Sequence, residues 1–293
     1  MKIPSIKIKY DLDKETELFL SFLHHSFSPQ HRSKIFRAFP ELEILLQTTK
    51  NKNQEKLIIK KFIKEFRRKN AKKIKRIIIQ SENLLKKKSK KALTELAKLM
   101  DYRWTKNHSD YIAMPTILPF SPLGNNIFYF SILGQIKGKD KKNALFIAIH
   151  EISHFIFYNI LKGIERKIKK STPDDLKNYL KEALTVVLLN QKPLSNILKL
   201  RDYKGNPEIQ DLQVKKNGKI ISFTEFINEY YQIIKVKNKK NFKVFLRKIL
   251  DILLPISKEF SEKRIVWNRH GNQLYKKLST LRLYQKPIKI KKG

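Results

Sequence analysis

His150, Glu151 and His154 spell H-E-x-x-H inside the stretch ALFIAIHEISHFIFYN, Ala144 to Asn159. On a helix, residues four apart lie one turn apart on the same face, so both imidazoles can reach one point. Imidazole nitrogens bind zinc at about 2.0–2.1 Å. The chain has no cysteine, so histidine and carboxylate are the donors left for any Zn2+ site. Glu151 would stand beside such an ion, placed to accept a proton from water. The flanking residues are apolar in a chain that is 31% charged, so this helix is expected to be buried. Burying two imidazoles beside a carboxylate costs free energy unless something pairs them. A metal ion is one such partner, and hydrogen bonds among His150, His154 and Glu151 are another.

The motif and its setting, IAIHEISHFI, resemble the active-site helix of the zincin metallopeptidases, whose subfamilies differ in the third ligand. The metzincin pattern H-E-x-x-H-x-x-G-x-x-H does not fit, because Phe157 stands where its glycine belongs and Asn159 to Asn178 contain no histidine. A gluzincin takes a glutamate from the next helix, and YLKEALTVV offers Glu182 among Leu180, Ala183, Leu184, Val186 and Val187. The resemblance runs from the strands near Tyr111 to Gln191. It implies a thermolysin-like core, zinc held by His150, His154 and Glu182, and Glu151 as general base in peptide-bond hydrolysis. It also implies a donor to the oxyanion from a later segment, for which His270, Tyr230 and Tyr231 are the candidates. The implied partner is a peptide or protein substrate, with NNIFYFSIL as the edge strand that would hold it extended. No acid follows Glu182 one turn later, so Thr185 or a backbone carbonyl is left to orient a ligand histidine.

Glu165, Asp174 and Asp175 rival Glu182 as the third ligand, and all of these acids except Glu165 have a second role open to them. Glu182 can pair with Lys181 or with a neighbouring basic helix. Glu165 lies in a basic linker, and Asp174 and Asp175 suit the first turn of a helix.

The elements that must position these residues follow from pattern. Ile6, Ile8 and Tyr10 alternate with lysine as in a half-buried strand, after which Asp11 or Asp13 can cap a helix to about Phe27. From Pro29 to about Leu99 the periodicity is helical, broken at Pro40 and at Asn51 to Asn53. Strands are expected near Tyr111 to Ile117 and Ile127 to Leu133, with Gly134 to Lys141 as a basic turn. The motif helix should run from Asn143 to about Leu161 and close near Gly163. Thr172, Pro173 and Asp175 read as a capping box for a helix to about Gln191. Asn217-Gly218 reads as a hairpin turn, and Ser222 with Glu225 as a second capping box.

The expected fold is therefore α+β and mostly helical, with a small zincin-like sheet packed on the H-E-x-x-H helix. Three regions are expected: a basic helical region 1–101, a catalytic core 102–192, and a helical region 193–293 that completes the cleft and ends in a basic tail. At 293 residues with 41% apolar side chains the chain can build a packed core. Its start lacks the apolar core of about 7–15 residues that a signal peptide carries. No uncharged run approaches the roughly 18 residues of a transmembrane helix. A cytoplasmic location and no transmembrane segment are expected.

The formal net charge of +38 implies attraction to polyanions through long-range fields. Lysines spread along every helix as a solvated surface are the plainer explanation, since specific phosphate readers lean on arginine. A nucleic-acid- or anionic-surface-binding protein, with an inactive or structural zincin-like core, is the alternative to the peptidase.

Overall fold

The computed structural model describes residues 3–24, 29–49, 51–105, 110–124, 126–138, 143–169, 171–216, 219–262, 266–267, 273–274 and 281–282. The chain is mostly helical α+β. It divides into two compact units: Met1–Leu93, Trp104–Glu151 and Val266–Leu274 form one, and Thr94–Arg103, Ile152–Ile265 and Tyr275–Gly293 the other.

In the first unit, strand β1 (Ile6–Ile8) leads into α1 (Leu12–His24). Asp11 is the cap, its Oδ1 accepting from the backbone N–H of Asp13 at 2.9 Å and of Lys14 at 3.0 Å. Helices α2 (Pro29–Ala38), α3 (Pro40–Gln47), α4 (Lys52–Lys69) and α5 (Ala71–Leu99) follow, the end of α5 from Thr94 belonging to the second unit. Pro40 starts α3, and the Asn51 side chain caps α4 by accepting from Gln54 N–H. Helices α1 to α4 pack together around Phe19, Phe39, Ile59 and Ile63, all essentially inaccessible.

Strands β2 (Tyr111–Thr116) and β3 (Ile127–Ser131) complete a parallel sheet in the order β1-β2-β3. The central strand is buried along nearly its whole length, as parallel strands covered on both faces are. Pro115 sits in it without losing a ladder bond. Its missing N–H falls on the β1 side, one step past the point where Lys9 N–H bonds to Ala113 and β1 has ended.

The short link from β2 to β3 has to return to the start of the sheet, because parallel neighbours begin at the same end. Its return leg runs beside β3: Tyr129 N–H donates to Pro122 O at 2.9 Å, Gly124 N–H to Ile127 O at 2.8 Å, and Ser131 N–H to Ser121 Oγ at 3.0 Å. So β3 is an edge strand, as expected, but the chain itself takes these outward-facing groups. An extended substrate would have to displace that leg to dock there.

After the short α6 (Leu133–Ile136) comes α7 (Ala144–Ile168), which carries the motif; the boundary of the two units falls inside it, after Glu151. Among the described residues α7 is the one helix long and apolar enough to cross a membrane, and most of its apolar stretch is buried inside the protein. It runs beyond the expected end at Gly163, because Ile164, buried at 2% exposure, extends its apolar face. Lys169, at φ 51°, takes the left-handed position instead.

In the second unit, α8 (Asp174–Leu189) is followed by α9 (Lys192–Leu198), α10 (Pro207–Gln210), the antiparallel pair β4 (Gln213–Lys216) and β5 (Lys219–Ser222), and α11 (Phe223–Tyr231). The hairpin turn expected at Asn217-Gly218 lies outside the described residues. Ser222 caps α11 by accepting from Glu225 N–H at 3.1 Å. A π-helical turn, Gln232–Lys237, leads to α12 (Phe242–Leu253) and, after a single 3-10 turn, to α13 (Ser257–Glu262). Helices α11 and α13 pack on α8, with Phe223, Phe226, Tyr179 and Phe260 in ring contact at that junction. Short strands β6 (Val266–Trp267) and β7 (Gln273–Leu274), which pair with each other, belong to the first unit, and β8 (Leu281–Arg282), in the second, lies parallel to β4.

Candidate metal centre

His150 and His154 sit one turn apart on α7, and Glu182 sits midway along α8. One ligand atom from each of the three lies within 4.8 Å of the others. His154 is buried at 2% exposure, Glu151 at 7%, and His150 is half-buried with its ring 6.1 Å from Phe146.

The two helices are held in register by a buried hydroxyl pair. Ser153 and Thr185 are 2.7 Å apart, and Thr185 Oγ1 also donates to Lys181 O at 2.9 Å. Thr185, expected as a group that orients a ligand histidine, instead joins α7 to α8. Ser153 lies inside the motif at one of its unspecified positions and was not singled out from sequence. A small hydroxyl residue in so apolar a helix is the signal that could have pointed to it.

The start of α8 differs from expectation. Pro173 has extended backbone (φ −57°, ψ 143°) and is itself the cap residue, so the helix begins at Asp174 with no side-chain cap bond. Thr172 Oγ1 is buried and has no hydrogen-bond partner among the described residues. Thr172 N–H donates to Glu165 Oε1 at 2.7 Å, and Lys177 lies 3.6 Å from the same oxygen. Glu165 therefore pins the end of α7 to the start of α8. Asp174 is exposed beside Lys177, and neither it nor Glu165 is part of the His-His-Glu group.

Glu182 Oε1 lies 3.6 Å from His154 Nε2 and also 3.6 Å from Lys181 Nζ. The Lys181 pairing expected for this carboxylate is thus present, and His154 lies equally close. The Lys181 side chain is only 18% exposed, and its ammonium lies 6.0 Å from the centre of the Tyr158 ring.

The donor set fits zinc. Ligands at about 2.0–2.1 Å in a tetrahedron stand about 3.3 Å from one another, close to the 3.6 Å between His154 Nε2 and Glu182 Oε1. Two imidazoles and one carboxylate, with no thiolate, are donors that zinc accepts, and they number three of the four that a tetrahedral ion takes.

The remaining site candidates separate by position. Tyr231 is 1% exposed, and its hydroxyl donates to Leu99 O at 3.2 Å. Burial pushes that phenol well above its ordinary range, and the charge of Asp101 adds to the effect. Tyr230 is also buried, its ring 5.0 Å from Phe226, on the helix that packs against α8. His270 lies outside the described residues.

Comparison of the chain with protein-family models, with curated proteins and with solved structures finds no match. The geometry alone carries the functional reading.

Proposed function

We propose that this chain is a zinc-dependent metallopeptidase of gluzincin type. The observation that carries the reading is the convergence of His150, His154 and Glu182 within 4.8 Å, with Glu151 next to His150 on the same helix. His150, His154 and Glu182 would hold the ion. The chemistry supplied by zinc in such a set is Lewis-acid activation of water and of a peptide carbonyl.

Glu151 does the proton work. Its buried carboxylate takes the proton released as water oxygen bonds to the carbonyl carbon, then delivers it to the amine nitrogen as the C–N bond breaks. Burial at 7% exposure keeps bulk water from competing for that proton. A donor to the carbonyl oxygen completes the arrangement. Tyr230 keeps that role in this proposal, since it stands on the helix packed against α8, whereas the Tyr231 hydroxyl is committed to Leu99.

The test pairs elemental analysis with hydrolysis of a peptide library by protein purified without chelator. Zinc near one per chain, with cleavage abolished in Glu151→Gln while zinc is retained, is the expected result. No zinc after reconstitution, or cleavage unchanged in Glu151→Gln, overturns the proposal.

A further inference from the structure

The sequence from Lys72 to Lys91 divides its cations into two clusters. Lys72, Lys73, Lys75 and Arg76 form one, Lys86 to Lys88 with Lys90 and Lys91 the other, and no lysine or arginine lies between Arg76 and Lys86. A general lysine bias would spread its charge more evenly. The structure turns this spacing into geometry. Lys72, Arg76, Ile79, Asn83, Lys86 and Lys90 follow one another at alternating steps of four and three along α5, and all are exposed. They form one straight outer row, while Ile74, Ile77, Ser81 and Leu85 on the opposite face are buried. Glu82 is the only acidic residue from Lys72 to Lys91.

We infer that this face of α5 is a binding surface for the phosphate backbone of duplex DNA, independent of the metal centre. At 1.5 Å per residue the two clusters are separated by about 15 Å from Arg76 to Lys86. The major groove of B-form DNA is about 12 Å wide and admits a helix. A helix laid across it sets one cation cluster against each bordering phosphate strand, and the exposed amides Gln80 and Asn83 come over the groove. Eight of the nine cations are lysines, point charges suited to phosphate and poorly suited to bidentate base reading, so little sequence preference is expected. A membrane surface fits less well. An interfacial helix inserts its apolar face into the bilayer, and in α5 that face is already buried in the protein, leaving Ile79 as the exposed large apolar residue of the row.

The experiment compares two variants of the full chain, each lacking four positive charges. One carries Lys72→Gln, Arg76→Gln, Lys86→Gln and Lys90→Gln. The other carries Lys192→Gln, Lys237→Gln, Lys240→Gln and Lys248→Gln, which are exposed positions elsewhere. Anisotropy of a labelled DNA duplex, the matching RNA duplex and phosphatidylserine vesicles is followed across a salt series, with circular dichroism to check folding. The expected result is affinity for DNA that falls with salt. The α5 variant should lose at least about tenfold, with a salt slope lower by about three to four, since each phosphate contact contributes about 0.9. The control variant should lose less than about threefold. RNA should bind more weakly, because its deep, narrow major groove does not admit the helix. Equal losses in the two variants, equal affinity for RNA, tighter binding to vesicles, or no binding to DNA would each overturn the inference.

Discussion

Glu15 and Glu182 are both carboxylates on helices, and the chain surrounds their oxygens in opposite ways. Glu15, with 2% side-chain exposure, is satisfied by donors of the chain itself. Arg67 Nε donates to Oε2 at 2.8 Å and Ile117 N–H to Oε1 at 2.7 Å. The guanidinium then donates to Pro115 O at 2.6 Å and lies 3.7 Å from the centre of the Tyr10 ring. That node ties α1, α4 and the end of β2 together. Around Glu182 the neighbours are two imidazoles, each able to present a lone pair toward the same point, and an ammonium to one side. A closed polar cluster specifies structure, whereas a convergent one suits a cation.

Four tests bear on that contrast, ordered from the largest expected effect. His154→Ala and Glu182→Ala should each reduce zinc from near one per chain to almost none by elemental analysis, with hydrolysis falling by about 10²-fold or more. If both variants retain metal, the convergence at Glu182 is not a cation site and the contrast collapses. Arg67→Met should cost about 3–5 kcal/mol in urea unfolding, because it leaves the buried Glu15 charge without its cation. Adding Glu15→Gln should recover part of that loss. A single Arg67→Met cost under about 1 kcal/mol would put Glu15 in the class of weak surface pairs.

Lys181→Met removes the ammonium 3.6 Å from Glu182 Oε1 and should tighten zinc about tenfold in a chelator competition, since like charges repel across a site of reduced dielectric. Weaker zinc in this variant would show that Lys181 instead positions the carboxylate. The smallest effect belongs to Asp110, whose oxygens hold Lys7 Nζ at 2.7 Å and Ser5 N–H at 2.9 Å. The Lys7 ammonium first, and the Ser5 N–H second, hold this carboxyl well below its usual range. A depressed carboxylate contributes its full stability above about pH 3.9 and loses it as pH falls through the lower folded value. Asp110→Asn should cost no more than about 1 kcal/mol at neutral pH, and wild type and variant should converge in acid melts. A gap that persists at the lowest pH would assign the effect to packing.

The parts legible in sequence are those set by local chemistry. The strand at Ile6–Ile8, the breaks at Pro40 and Asn51, and the cap at Ser222 follow from side chains acting within a few residues. The two histidines needed only helical periodicity, and Glu182 stood out as a carboxylate in apolar company. The long-range pairings were not legible. Nothing in the sequence marks Arg67 as the partner of Glu15 across 52 positions, or Ser153 as the partner of Thr185. The end of α7 was placed too early because Gly163 is permissive of a turn without requiring one, and burial of Ile164 decided the matter. The start of α8 was placed too early for a related reason: a Thr-Pro pair matches a cap pattern, but the extended ψ of Pro173 puts the helix one residue later.

The return leg beside β3 has a consequence for the behaviour of the protein in solution. A parallel sheet with an open edge offers a ready template on which a second chain can add a strand, and long open edges seed aggregation. Here Pro122 and Gly124 pair with Tyr129 and Ile127, and the proline itself has no N–H to offer a newcomer. The hydroxyl of Ser121 occupies the next position along. The leg that brings the chain back to begin β3 thus guards that edge, and substitutions at Ser121 or Pro122 should show themselves first as self-association under heating rather than as a change at the metal centre.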